Sequence, residues 1–138
     1  MRIATLSDAG DVLEMDFGPL NTDTDKVALL KVPGNVCYIN DASTAMFAYN
    51  CMVAGVWQCH ILSKEEARGK GMQEFAYCTA VRMVKDCGMK SLITFVPRTN
   101  RANRLFVSYF GMKKRITTED FAVYHVEREQ ILNFKTER

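Results

Sequence analysis

The chain has 138 residues, enough for one domain of ordinary size. Hydrophobic residues make up 48% and charged residues 25%, which excludes disordered, collagen-like and coiled-coil chains. The 18 Lys and Arg residues nearly balance the 16 Asp and Glu residues, so the net charge of +2 gives no support to a specific nucleic-acid-binding protein. We therefore expect a single domain over residues 1–138.

Cysteine spacing and hydropathy exclude further classes. The five cysteines are odd in number and show no C-x-x-C pair, which argues against a disulfide framework and against a zinc site. The first five residues lack the apolar core of a signal peptide. The longest apolar stretch, 45–57, is interrupted by Asn50 and Gly55 and is too short to cross a bilayer. We expect a cytoplasmic protein with no metal ion and no membrane partner.

The first half of the chain predicts one strand, two helices and three more strands. A strand is predicted at Arg2–Leu6. The first helix begins at Ser7 or Asp8, and its buried face is Val12, Leu13 and Met15–Phe17. The second helix begins at Thr22 or Asp23, and its buried face is Val27, Leu29 and Leu30. Gly18-Pro19 and Pro33-Gly34 end these helices. Short turns then separate strand patterns at Val36–Asn40, Ala45–Met52 and Val56–Ser63, which favours antiparallel hairpins.

The second half opens with a helical period of 3.6 residues. Eight residues share one face over four turns: Met72, Phe75, Ala76, Thr79, Ala80, Met83, Val84 and Cys87. Gly88 follows where a helix-ending glycine belongs. The remaining predicted elements are a strand at Ser91–Val96, a helix from Thr99 or Asn100 to Gly111, and a hairpin of Lys113–Thr117 with Phe121–Val126. The tail 127–138 is mostly polar.

The predicted order is β-α-α-β-β-β-α-β-α-β-β. Three antiparallel strands followed by a strand–helix–strand crossover indicate an α/β fold. We expect a mixed, mostly antiparallel twisted sheet of about seven strands, with helices on both faces.

One segment carries recognisable chemistry, the run from Ser63 to the start of the long helix. Backbone N–H groups and the positive end of the helix dipole make such a place suited to a phosphate, and Gly69 and Gly71 let backbone approach it closely. A Walker loop is excluded because no Gly-Lys pair precedes Ser or Thr. A dinucleotide fingerprint is excluded because its third glycine would fall on Glu74. A structural turn is the alternative.

The long amphipathic helix is preceded by Arg68-Gly69-Lys70-Gly71-Met72 and followed by a strand, by Asn100 and by Gly111-Met112. This arrangement resembles the GNAT superfamily of acyl-CoA N-acyltransferases. The loop pattern of that family, R/Q-x-x-G-x-G/A, is matched by Arg68, Gly71 and, imperfectly, Gln73. The resemblance implies the GNAT fold with a splayed parallel strand pair. It also implies transfer of an acetyl group from acetyl-CoA to a primary amine, by direct attack within a ternary complex.

The resemblance also implies where acetyl-CoA would bind. The pantetheine arm would pair with backbone at Ile61 and Ser63, and Asn100 would touch it or cap a helix. The pyrophosphate would be held at the loop, by the backbone of Gly69, Gly71, Met72 and Gln73 and by the charges of Arg68 and Lys70.

Catalytic groups are less well marked by the sequence. Many GNAT members place a tyrosine acid where this chain has Val107, so Ser108 and Tyr109 are the nearby candidates. A neutral amine is scarce at pH 7, so a base is needed, and His60 has a suitable intrinsic pKa. Glu14, Asp16, Asp23 and Asp25 are candidates to line an acceptor site, with His125 a further one. For each of these groups a structural role is the alternative.

The sequence does not distinguish a small-molecule amine from a protein amine as the acceptor. It also does not distinguish a monomer from a homodimer. A non-catalytic GNAT-fold binding or structural protein is the alternative function, because small versions of this layout resemble accessory or virion proteins of tailed phages. Val107 and Gln73 favour that alternative, whereas the intact glycine loop favours the enzyme.

Overall fold

A computed structural model describes residues 1–16, 22–69, 71–98, 107 and 111–134. The seven strands are β1 (Arg2–Ile3), β2 (Val36–Ile39), β3 (Ala45–Val53), β4 (Val56–Ser63), β5 (Ser91–Pro97), β6 (Lys113–Thr117) and β7 (Phe121–Glu127). The α-helices within the described ranges are α1 (Ala9–Leu13), α2 (Asp23–Lys31), α3 (Met72–Cys87) and α4 (Arg128–Phe134). Short 3-10 turns lie at Leu6–Asp8 and Glu65–Ala67.

The strands form one mixed sheet, as the sequence predicts, in the order β1-β2-β3-β4-β5-β7-β6. The pairs β1–β2, β2–β3, β5–β7 and β6–β7 are antiparallel, and β4–β5 is the parallel pair. The parallel register joins Val56–Gln58 to 91–93, while β4 itself continues to Ser63. The last five residues of β4 therefore extend past that register.

The chain folds into two compact units. Unit 1 comprises 1–51 and 59–76, and unit 2 comprises 52–58 and 77–138. Unit 1 contains one apolar cluster against which Leu29 and Leu30 pack: Ala4, Val12, Met15, Cys37, Ile39, Met46, Ala48 and Leu62. In unit 2, β5 and β7 pair over seven residues, and alternate side chains such as Leu92, Tyr124 and Val126 are buried.

The amino-terminal elements are shorter than predicted. β1 ends at Ile3 rather than Leu6, and α1 covers only Ala9–Leu13. The Asp8 carboxylate explains the early end of β1 and the late start of α1, because it accepts hydrogen bonds from the Arg2 guanidinium (2.6 and 2.9 Å) and from the Thr5 amide (2.8 Å). These bonds close the chain into a 3-10 turn between strand and helix. Phe17 lies outside the described residues.

The buried face of α2 differs from the predicted one. Lys26 is 5% exposed, and its Nζ donates to the Leu13 carbonyl at 3.0 Å, at the end of α1. Val27 is only half-buried. A cation beside the last carbonyls of a helix is favourable, and this polar contact turns α2 so that a lysine faces inward.

Of the two later helices, α3 agrees with the sequence prediction and α4 does not. α3 has the predicted bounds, and Gly88 takes a φ of +66°, as a glycine just past a helix end does. α4 is a helix that the predicted order of elements does not include. Ile131 anchors α4 at 1% exposure, and Gln130 Oε1 accepts from the Glu127 amide at 2.9 Å.

Candidate functional site

The glycine loop connects the end of β4 to the start of α3. After the turn at Glu65–Ala67, Arg68 is extended, and Gly69 and Gly71 have φ angles of +76° and +68°. Glycine adopts such angles at little cost, whereas another L-residue is strained by about 1 kcal/mol or more. The two glycines therefore set the path by which the chain enters the helix.

The surface of this loop is open, which fits the approach of a bulky anion. A Cβ atom placed on Gly69 or on Gly71 would meet nothing within 4 Å. The amide of Phe75 donates to the Gly71 carbonyl at 2.9 Å, as the first turn of α3 forms. The amides of Met72 and Gln73 precede that bond, so they point out of the helix end. Amides directed this way, with the helix dipole behind them, suit a phosphate group.

The loop cation Arg68 is already paired. Its Nη2 lies 2.8 Å from Asp16 Oδ2, and both side chains are about half exposed. Lys70, the other cation proposed from the sequence, lies outside the described residues. Arg68 is therefore held beside the loop by a carboxylate from a segment 52 residues earlier.

Asp16 also pairs with the end of β4 through its backbone. The Asp16 amide donates to the Ser63 carbonyl at 2.9 Å, and the Ser63 amide donates to the Asp16 carbonyl at 3.2 Å. These two bonds form an isolated antiparallel bridge. Ser63 is one of the two residues expected to pair with pantetheine, and Ile61, two residues earlier, directs its backbone groups toward the same edge.

A second ion-pair cluster centres on Lys64, a residue that sequence reasoning missed. Its Nζ lies 3.0 Å from Asp11 Oδ1 and 3.1 Å from Glu14 Oε2. The hydrogen bond to Asp11, followed by that to Glu14, raises the pKa of the Lys64 amine. The partners lie about fifty residues apart along the chain, so no local pattern signals the cluster.

His60 is the proposed base on β4. The residue is half-buried, and burial lowers the pKa of its imidazole below the usual 6.5. The neutral form therefore predominates at pH 7, which leaves a ring nitrogen able to accept a proton. The neighbouring Cys59 is buried, and burial raises the pKa of its thiol far above the usual range, so that thiol is inert.

Four of the other acidic and histidine candidates, Glu14, Asp16, Asp25 and His125, are engaged in structural contacts, and Asp23 lies in the first turn of α2. Glu14 and Asp16 bind Lys64 and Arg68, as described above. Asp25 lies in the first turn of α2, where its carboxylate accepts from the Thr22 hydroxyl at 2.7 Å, and Thr22 Oγ1 accepts from the Asp25 amide at 3.1 Å. His125 Nε2 lies 3.1 Å from Glu127 Oε1 on the same face of β7.

Several proposed residues cannot be placed. Asn100, Ser108 and Tyr109 lie outside the described residues, whereas Val107 is described and is 2% exposed. Among the residues that are described, no group of three or more His, Cys, Asp or Glu could hold a metal ion. No helix in the same part of the chain has the length and apolarity needed to cross a membrane.

The chain is similar to many solved acetyltransferase structures. A variant of the spermidine N-acetyltransferase SpeG from Vibrio cholerae superposes with a TM-score of 0.78 at 8% identity, covering 97% of this chain and 96% of that one. An acetyltransferase of the GNAT family from Bacillus anthracis gives 0.74 at 14% identity, with 93% of each chain covered. A ribosomal-protein-S5-alanine acetyltransferase from Vibrio fischeri gives 0.68 at 12%, with 93% and 92% covered.

Sequence comparison adds no closer relative. No protein-family pattern matches the chain, and no curated protein matches it significantly. At identities of 8–14% the structural likeness shows the fold alone. Two of the matched proteins are named for different acceptors, a polyamine and a protein alanine, so the shared fold leaves the acceptor open.

Proposed function

We propose that this chain, which has the fold of the GNAT N-acetyltransferases, is a single-domain enzyme over residues 1–138 that transfers an acetyl group from acetyl-CoA to a primary amine. The observation that carries the proposal is the glycine loop between β4 and α3. Its positive φ angles, open surface and outward amides fit a pyrophosphate. The proposal includes a cytoplasmic protein that acts as a monomer or homodimer.

The chain's own residues would hold acetyl-CoA in two places. The pyrophosphate would accept hydrogen bonds from the loop and first-turn amides, with positive charge nearby: Gly69, Gly71, Met72 and Gln73, with Arg68 and Lys70. The pantetheine arm would pair with backbone at Ile61 and Ser63, with Asn100 as a further contact. Bound acetyl-CoA supplies an activated thioester, which lets an amine be acylated without a covalent enzyme intermediate.

His60 would prepare the acceptor. An alkyl ammonium with a pKa near 10.4 holds only about one neutral molecule in a few thousand at pH 7. The neutral imidazole of His60 would take the proton from the ammonium, either directly or through one water, and the neutral amine would then attack the thioester carbonyl. An N–H of the β4 backbone would donate to the carbonyl oxygen on which negative charge develops. Ser108 and Tyr109 are the proposed proton donors to the departing thiolate.

Thermal unfolding with and without acetyl-CoA tests the loop. Ligand at about one hundred times its Kd stabilises the protein by roughly 2.7 kcal/mol, a rise of several degrees in Tm. Gly71→Glu places a carboxylate against the pyrophosphate and should abolish that rise. Gly88→Glu is the matched control, since Gly88 has a φ of +66° and open space around a Cβ atom.

The two variants separate binding from strain. Both should lower the Tm of the free protein, because each forces a side chain into left-handed backbone. Only Gly71→Glu should lose the response to acetyl-CoA. A parent protein whose Tm does not respond at millimolar acetyl-CoA contradicts the proposed function.

His60→Gln tests the base once an acceptor amine has been found by screening polyamines, aminoglycosides and peptide amino termini. We expect kcat/KM to fall by about 100-fold, at the low end of the general-base range. In the parent, activity should fall as the pH drops through the lowered pKa of His60, and that acid limb should be missing from the variant. Gln58→Ala, two residues away on β4, is the control; an equal loss there would contradict the assignment.

A non-catalytic GNAT-fold binding protein is the second candidate function. Two observations favour it: Val107, at the position where many GNAT members carry a tyrosine acid, is buried, and the backbone of Ser63 is already paired. This candidate predicts either no response to acetyl-CoA, or binding without turnover of any amine in the screen.

A further inference from the structure

We propose that Asp16 is a built-in competitor for the acetyl-CoA site, occupying two groups that the ligand would use. The inference rests on the proposed function, because it concerns the same loop and the same end of β4. Asp16 engages Arg68 with its carboxylate and Ser63 with its backbone. The Asp16 carboxylate therefore takes the place of a phosphate oxygen at Arg68, and the Asp16 backbone takes the place of a pantetheine amide at Ser63.

The backbone contact lies on the edge of β4 that would receive the ligand. The Lys64 amide donates to the Thr44 carbonyl at 2.7 Å, toward the strand β3 that follows Thr44. Successive residues of an extended strand direct their backbone groups to opposite edges. Ser63 therefore directs its N–H and C=O away from β3, and Asp16 takes both of them, at 3.2 and 2.9 Å. A ligand that pairs with Ser63 must first displace Asp16.

The side-chain contact uses the same chemistry as a phosphate would. A guanidinium binds carboxylate and phosphate oxygens with the same N–H donors. Arg68 is 53% exposed and Asp16 is 52% exposed, so the pair is open to solvent and can exchange partners. An incoming phosphate would gain Arg68 as Asp16 leaves.

Asp16 is held in position from the residues before it. Met15 is 1% exposed and belongs to the apolar cluster of unit 1, and its amide donates to the Val12 carbonyl at 3.1 Å. Asp16 is therefore held next to Ser63 and Arg68 in the free protein. Only the fraction of molecules in which Asp16 has left these partners can bind acetyl-CoA, and the apparent affinity is reduced in proportion to that fraction.

The first experiment compares acetyl-CoA affinity by calorimetry in the parent, in Asp16→Asn and in Glu14→Gln. Asp16→Asn removes the negative charge from Arg68 and keeps a similar shape, and we expect the Kd to fall about threefold. Glu14→Gln removes a carboxylate of the same segment that contacts Lys64 instead of Arg68, and should leave the Kd unchanged.

The second experiment follows hydrogen exchange at the Asp16 amide by NMR. In the free protein that amide is bonded to Ser63 and should exchange slowly; saturating acetyl-CoA should make it exchange fast, because the ligand takes Ser63. Binding with an Asp16 amide that stays protected and a Kd unchanged by Asp16→Asn would overturn the competitor while leaving the proposed function standing. If acetyl-CoA binds to the Asp16→Asn variant but not to the parent or to Glu14→Gln, the result supports Asp16 as a competitor. Absence of binding in all three proteins overturns the proposed function and the competitor together.

Discussion

Two arginine–aspartate pairs, one in each unit, differ in the burial of their carboxylates. Arg2 Nη2 lies 2.6 Å from Asp8 Oδ1 in unit 1, and Arg82 Nε lies 2.9 Å from Asp86 Oδ2 in unit 2. Both arginine side chains are 53% exposed. The Asp8 side chain is 7% exposed, whereas the Asp86 side chain is 51% exposed. Burial of the carboxylate, rather than the presence of the pair, should decide how far folding depends on it.

The wider ion-pair pattern follows the same division. In unit 1, Lys64 joins Asp11 across 53 residues and Arg68 joins Asp16 across 52. In unit 2, the described pairs link neighbours, such as His125 with Glu127. The register between β5 and β7 holds unit 2 instead, over seven residue pairs. Charge contributes to tertiary structure in unit 1, while in unit 2 it adds to structure that the backbone already fixes.

The largest expected effect comes from Asp8→Asn. The hydrogen bond from Arg2, followed by that from the Thr5 amide, lowers the pKa of Asp8 from 3.8 to about 2. A lowered pKa stabilises the fold above pH 4, and that stabilisation is lost as the pH falls from about 4 through 2. We expect the variant to lose about 2 kcal/mol of unfolding free energy at pH 7. Urea unfolding at pH 7, 4, 3 and 2 measures it.

Asp86→Asn, in the same pH series, sharpens the contrast. Its effect should stay small at every pH, while the gap between parent and Asp8→Asn closes toward pH 2. A gap that is constant with pH would show that Asp8 acts through shape or packing rather than through its charge.

Local patterns in the sequence predicted the elements whose residues interact nearby. α3 and β4 have the expected bounds, because a 3.6-residue period and a strand between two turn signals are each written within a short window. The mixed sheet followed from the order of these elements. The glycine loop was also predictable, since positive φ angles leave a direct mark as Gly69 and Gly71.

The contacts that sequence reasoning missed are those between distant segments. Lys26 faces inward because of a carbonyl on α1, and Asp16 meets Ser63 and Arg68 only once α1 and β4 are folded. α4 was missed because it lies in a mostly polar segment, where Ile131 is the one buried residue among 128–133. No window of sequence contains both partners of such contacts, so these contacts could be seen only in three dimensions.

The smallest expected effect comes from the Arg82–Asp86 pair itself. The two residues are four apart on α3 and both are half exposed, so we expect a coupling energy of about 0.3–0.5 kcal/mol at low salt. A double-mutant cycle of Arg82→Gln and Asp86→Asn isolates that coupling from other contacts of either side chain. In 1 M NaCl, where the screening length is about 3 Å, the coupling should fall below detection. A coupling above about 1.5 kcal/mol would break the comparison, because an exposed carboxylate would then stabilise the fold about as much as a buried one.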